Sequence, residues 1–149
     1  MRRRMLVTTA LLLPLAAQAQ AQAPGQGRVP PSFPAAQPRD DSRFSAEALR
    51  QMAAKEAEVQ QKLAAFPNLH TIRGQIAGRD LTGFMTYLAT AFARPGWNRQ
   101  SFMGPQGRSV WTEADGWTGG KQAFVWVNIQ YRHEENGMVP YTLITNMPD

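Results

Sequence analysis

Cysteine is absent from the chain. That excludes disulfides, thiolate metal ligands, a cysteine nucleophile and acylation on an N-terminal cysteine. Histidine is scarce: His70 and His133 are the only two. Neither has a second His or a Cys at a ligand spacing, so no metal site is expected. Met52, Met85, Met103, Met138 and Met147 are scattered rather than paired, which argues against thioether coordination of copper. No G-x-S-x-G nucleophile motif, no phosphate-cradling glycine loop and no internal repeat occurs. No apolar run reaches the roughly 20 residues that a membrane-spanning helix requires. No catalytic residue and no cofactor is therefore predicted.

The N-terminus carries a pattern of another kind. Arg2, Arg3 and Arg4 precede an apolar run, Met5 to Ala17, which Pro14 interrupts near its end; Gln and Ala then alternate from Gln18 to Ala23. A basic start, a short apolar stretch and small residues at recurring −3 and −1 positions make a secretion signal. Residues 1–23 are expected to be removed, with cleavage after Ala19, Ala21 or Ala23, and the protein to be periplasmic or secreted with no transmembrane segment in its mature chain. The arginine cluster also loosely resembles a twin-arginine export signal. The full chain has 16 basic and 11 acidic residues, a net charge of +5. Without the three N-terminal arginines 13 bases face 11 acids, a net charge of +2. No nucleic-acid partner is expected from so small a surplus.

Residues 24–39 contain Pro24, Pro30, Pro31, Pro34 and Pro38 and show no hydrophobic period, which reads as a disordered or extended leader. Residues 40–149 are expected to form a single small α+β domain. Ser45 can cap a helix over about 45–66, with Glu47 in its first turn. Leu49, Met52, Val59, Leu63 and Phe66 keep helical spacing, Glu56 lies on the same stripe, and Pro67 stops the helix. His70 to Ala77 fits a short strand or a connector. A second helix is predicted over about 80–93, capped by Asp80, with Leu81, Phe84, Met85, Leu88, Ala91 and Phe92 on one side and Pro95-Gly96 beyond.

From residue 109 to 146 the period changes to two. Ser109 to Ala114, Lys121 to Arg132 and Met138 to Asn146 read as an antiparallel meander of three or four strands, packed with the helices in two layers. Matching apolar with apolar across the last hairpin favours a three-residue loop, Glu135-Asn136-Gly137, with Gly137 left-handed. Tyr131 then faces Tyr141, Ile129 faces Leu143 and Val127 faces Thr145. Pro140 cannot donate to a ladder, which places its strand at or near a sheet edge. Asp115-Gly116 and Gly119-Gly120 look like turn chemistry.

The candidate binding residues follow from aromatics and arginines without acids. Between Asp80 and Glu113 there is no Asp or Glu, and the irregular stretch Arg94 to Arg108 holds Arg94, Trp97, Arg99, Phe102 and Arg108. Arginine forks beside aromatic plates suit an anionic or sugar-like ligand; buried aromatics that merely pin a loop are the plainer alternative. Trp111 and Trp126, on neighbouring strands, could extend that surface or lie in the core under a helix. The leading expectation is a small exported, non-enzymatic binding or accessory protein whose partner is a small ligand, a glycan or an envelope protein. One alternative is a small periplasmic enzyme with its pocket between the second helix and the sheet, using His133, Glu134 or Asp80. Another is an envelope assembly component that docks through the first helix.

Overall fold

The computed structural model describes residues 27–102, 110–131 and 137–149, with backbone alone at 110–111 and 130–131. Among the described residues the strands and α-helices follow in the order β1 (Gln37–Pro38), α1 (Ala46–Lys62), β2 (His70–Ala77), α2 (Leu81–Ala91), β3 (Asn98–Ser101), β4 (Val110–Gly119), β5 (Gln122–Tyr131) and β6 (Met138–Thr145). The α+β class holds, and the meander of β4, β5 and β6 is present. The sheet is larger than the predicted three or four strands. Six strands line up in the order β1-β2-β6-β5-β4-β3, every neighbouring pair antiparallel.

β5 explains the layering. Its odd positions, Ala123, Val125, Val127 and Ile129, are fully buried, and so are its even positions Phe124, Trp126 and Asn128. A strand apolar on both alternations belongs to a sheet covered on both faces. Helix α1 covers one face, where Val59 and Leu63 pack with Ala114, Val125, Val127 and Ile144. Helix α2 covers the other, where Leu81, Phe84, Leu88 and Phe92 meet Trp117, Phe124, Trp126, Tyr141 and Leu143. The helices thus lie on opposite sides, and the expected two layers are three.

Local chemistry sets the helix ends. The Ser45 side chain accepts a hydrogen bond from the Ala48 amide (3.1 Å), the capping geometry foreseen for α1. Its buried stripe is Ala48, Met52, Lys55, Glu56 and Val59. Glu56 is tolerated there because its carboxylate accepts from the Thr142 hydroxyl and pairs with Arg73 at 3.2 Å. The helix ends at Lys62, short of Phe66, and Asn68 takes a left-handed conformation at φ 59° as the chain turns into β2. At the start of α2 Asp80 occupies the cap position but makes no cap hydrogen bond; it sits 3.8 Å from Arg79 instead.

Two expectations about β6 are corrected. Its register against β5 sets Trp126 opposite Leu143, Val127 opposite Thr142 and Asn128 opposite Tyr141. The predicted pairs assumed one polar and one apolar face, whereas here both faces are buried and polarity carried no register signal. Residues 132–136, which include most of the predicted loop, lie outside the described residues. Nor is β6 an edge: β2, a full eight-residue strand, flanks it on the outside. Pro140 stands opposite Gln75 and one residue past the last pair with β5, where the missing donor costs least. Likewise Asp115-Gly116 lies inside β4, while Gly120 (φ 57°) opens the two-residue turn to β5.

The segment read as a disordered or extended leader is extended and packed against the domain over 27–39. Gln37 and Pro38 pair with Gln75 and Gly74 as β1. Arg39 reaches round the sheet edge to Thr142 (3.3 Å) and Asp41 (2.8 Å). Further back, the Val29 amide donates to the Pro148 carbonyl at 2.9 Å, and the Tyr87 hydroxyl donates to the Pro31 carbonyl. Proline removes ladder donors, but an extended strap held by its carbonyls and one aromatic side chain needs few of them.

Candidate functional site

The aromatic face beneath α2 is where side chains and space come together. Phe84, one turn into α2, packs edge-on against Trp126 at 4.7 Å and contacts Tyr141 at 5.3 Å. Tyr141 stacks on Trp126 at 4.6 Å. Its ring lies flat across Gly74 of β2, where any β-carbon would collide with it, so a glycine at that position is what lets the ring spread over the sheet. From the opposite side the strap lays Phe33 against Phe84 (5.3 Å) and Tyr87 (5.5 Å), with its ring edge over Gly83 of α2.

These walls do not close completely. Between the strap, α2 and the sheet lies a half-open cavity of about 390 Å³, lined chiefly by Phe33, Ile72, Phe84, Tyr87, Tyr141 and Leu143. Ligand pockets run from roughly 300 to 1,000 Å³ with apolar walls and few polar groups, and this cavity falls at the small end of that range. Its polar atoms have distinct states. The Tyr87 hydroxyl is engaged with Pro31. The Tyr141 hydroxyl makes no hydrogen bond among the described residues, and burial pushes its pKa above the ordinary value of 10.0. It is therefore a neutral phenol with a free donor. Ser32 and Asp149 stand among the remaining lining residues.

Among the described residues, the sequence-predicted ones do not converge on one site. Trp126 is fully buried in the core, its indole N–H donating to Asn128 Oδ1 at 2.9 Å. Trp97 is half-buried on the same face, edge-on to Phe92 at 5.0 Å and seated over Gly119, where a β-carbon would come within 2.7 Å of its ring. Phe102 is buried on the opposite face, with Lys62 Nζ 5.4 Å above its ring. Arg99 is exposed but already forms a forked pair with Asp115, its Nε 3.1 and 3.2 Å from the two carboxylate oxygens. Arg94 is partly exposed and makes no ion pair among the described residues. Trp111 is described by backbone alone, opposite Gln130, and Arg108 lies outside the described residues. The stretch read as irregular contains β3, a four-residue edge strand paired to β4. Being exposed, it shows no apolar alternation by which sequence could reveal it.

No family model, curated protein or solved structure matches this chain. Its function must be argued from the site alone. Of the enzyme candidates, Asp80 is paired with Arg79 away from the cavity lining, and His133 and Glu134 lie outside the described residues. Among the described residues no group of three or more His, Asp or Glu could hold a metal ion. No described helix is long and apolar enough to cross a membrane. The apolar stripe of α1 packs on the chain's own sheet.

The residues that build the cavity were mostly missed. The sequence pattern marks Tyr141 and Leu143 only as strand partners, and Phe33 sits in a stretch whose prolines hide any period. A single aromatic amid Ser32, Pro34 and two alanines is the one local signal that the strap has something to bury.

Proposed function

We propose that this chain is a small exported binding protein that holds a compact apolar ligand carrying one hydrogen-bond acceptor. The observation that carries the reading is the half-open aromatic cavity of about 390 Å³ with an unpartnered, neutral Tyr141 hydroxyl in its wall. An apolar guest gains from burying its surface there, at roughly 25 cal/mol per Å². Its acceptor, a carbonyl or ether oxygen, would take the free phenolic proton and fix orientation, the division of labour usual in small-molecule sites. The basic start, apolar run and Gln-Ala alternation of residues 1–23 support export. The strap begins within a few residues of the expected cleavage positions, so the exported chain would retain the whole wall.

The test is to isolate the protein from its own envelope without denaturing it and to analyse what denaturation releases by mass spectrometry. The expected result is one predominant small apolar compound containing oxygen, strongly reduced from an Ile72→Trp variant whose indole fills the cavity. Release of nothing, or of equal amounts from both proteins, would reject the assignment.

A further inference from the structure

The same sheet face has a polar end whose residues do not line the cavity, although Asn128 stands directly opposite Tyr141 of β6. Asn128 is fully buried, and its Nδ2 has no hydrogen-bond partner. Its orientation is not arbitrary: the Trp126 indole can only donate, so the amide oxygen must face it, at 2.9 Å, and Nδ2 must turn away. Directly across the ladder, at the position opposite Asn128, stands Glu113 of β4. Side chains at directly opposed positions project from one face with β-carbons about 5 Å apart. Glu113 is half-buried and accepts no hydrogen bond among the described residues. Two positions along β4 Asp115 is fully engaged with Arg99 and the Gly116 amide, so it does not compete for the free donor. A buried amide donor and an adjoining carboxyl, both without partners, are what a fold avoids unless something else completes them.

We infer that Asn128 and Glu113 form a second binding site, for the edge of a neutral carboxamide or lactam. The ligand's carbonyl oxygen accepts from Asn128 Nδ2, and its adjacent N–H donates to the Glu113 carboxyl. Glu113 forms the accessible rim and Asn128 the floor. A carbonyl without an N–H satisfies only half of the pair, which sets this site apart from the apolar cavity and its single phenolic donor. Burial, and then the charge of Asp115, raise the proton affinity of Glu113. A neutral ligand suits such a carboxyl better than an anion does.

The experiment is proton–nitrogen correlation NMR on the full folded protein, titrated with 2-pyrrolidinone and, separately, with cyclopentanone. The Asn128 side-chain amide reports the site directly, and the Trp126 indole N–H, whose ring also touches the cavity residues Phe84 and Tyr141, reports it through Asn128. Saturable shifts of both with pyrrolidinone, and binding of cyclopentanone at least about tenfold weaker, are expected from the loss of one buried hydrogen bond. Asn128→Asp keeps the acceptor for Trp126 but removes the donor, and should abolish the response. Should that variant fail to fold, Glu113→Leu must weaken pyrrolidinone by about tenfold for the same reason. Equal binding of the two probes, retained binding in Glu113→Leu, or Asn128 amide protons that show contacts to a long-lived water and no response to pyrrolidinone would each overturn the inference.

Discussion

Phe33→Ala is the substitution on which the sequence and the structure disagree most sharply. In a disordered leader the change should cost nothing beyond the roughly ±0.5 kcal/mol of an inert surface position. In the structure the ring contacts Phe84 at 5.3 Å and Tyr87 at 5.5 Å and leans on Gly83. Truncating a fully buried phenylalanine costs about 3–5 kcal/mol. Phe33 keeps part of its surface in solvent, so about half, roughly 2 kcal/mol, is the expected loss. In a domain of this size that lowers the melting temperature by roughly 6–10 °C. Urea unfolding followed by tryptophan fluorescence measures it, with exposed Pro34→Ala as control. The denaturant slope should fall too, because a released strap leaves less surface to expose on unfolding. A Phe33→Ala protein within about 0.5 kcal/mol of wild type, with unchanged slope, would refute the packed strap and with it one wall of the cavity.

Three further outcomes are expected. Tyr141→Phe removes a hydroxyl that bonds nothing among the described residues, so stability should change by less than about 0.5 kcal/mol while affinity for the cavity ligand falls about tenfold, read by calorimetry. Gly74→Ala drives a methyl into the Tyr141 ring and should destabilise by about 1–3 kcal/mol; pairing it with Tyr141→Leu should recover much of that loss in a double-mutant cycle. Glu113 is held above the ordinary glutamate value of 4.5 by burial and by Asp115, so the fold favours its protonated form. That contribution is complete below the ordinary value and is lost as pH rises through the raised one. Relative to Glu113→Gln, wild type should therefore lose stability as pH rises through the mildly acidic range, seen in chemical denaturation at a series of pH values.

What the sequence revealed was what local chemistry determines. Ser45, the stripe through Met52, Val59 and Leu63, and the alternation from Ala123 to Ile129 each identify their element within a few neighbours. Partners distant in sequence were harder to read. β2 carries Arg73, Gly74 and Gln75 in its middle, a polar run that looks like a connector until β6 pairs with it over eight residues. Because β6 fits between β2 and β5, neither its position nor its register followed from the hairpin alone. Trp126 belonged to the core, as its flanking apolar residues allowed, and Arg99 had a partner in Asp115 sixteen residues away. A pocket between the second helix and the sheet was anticipated only for the enzyme alternative; its lining was not legible because the strap, α2 and distant strands build it together, and only Phe33 hinted at the strap's part.

The central claim is that the cavity between strap, α2 and sheet takes an apolar ligand through Tyr141. Methyl NMR of Ile72, Leu88 and Leu143 during titration with cyclohexanone tests it most directly. The account predicts saturable shifts at these cavity methyls, weakened in Tyr141→Phe and lost in Ile72→Trp, with Val59 and Val127 on the opposite face unmoved. Shifts spread over both faces, or none at Leu143, Leu88 and Ile72, would contradict it.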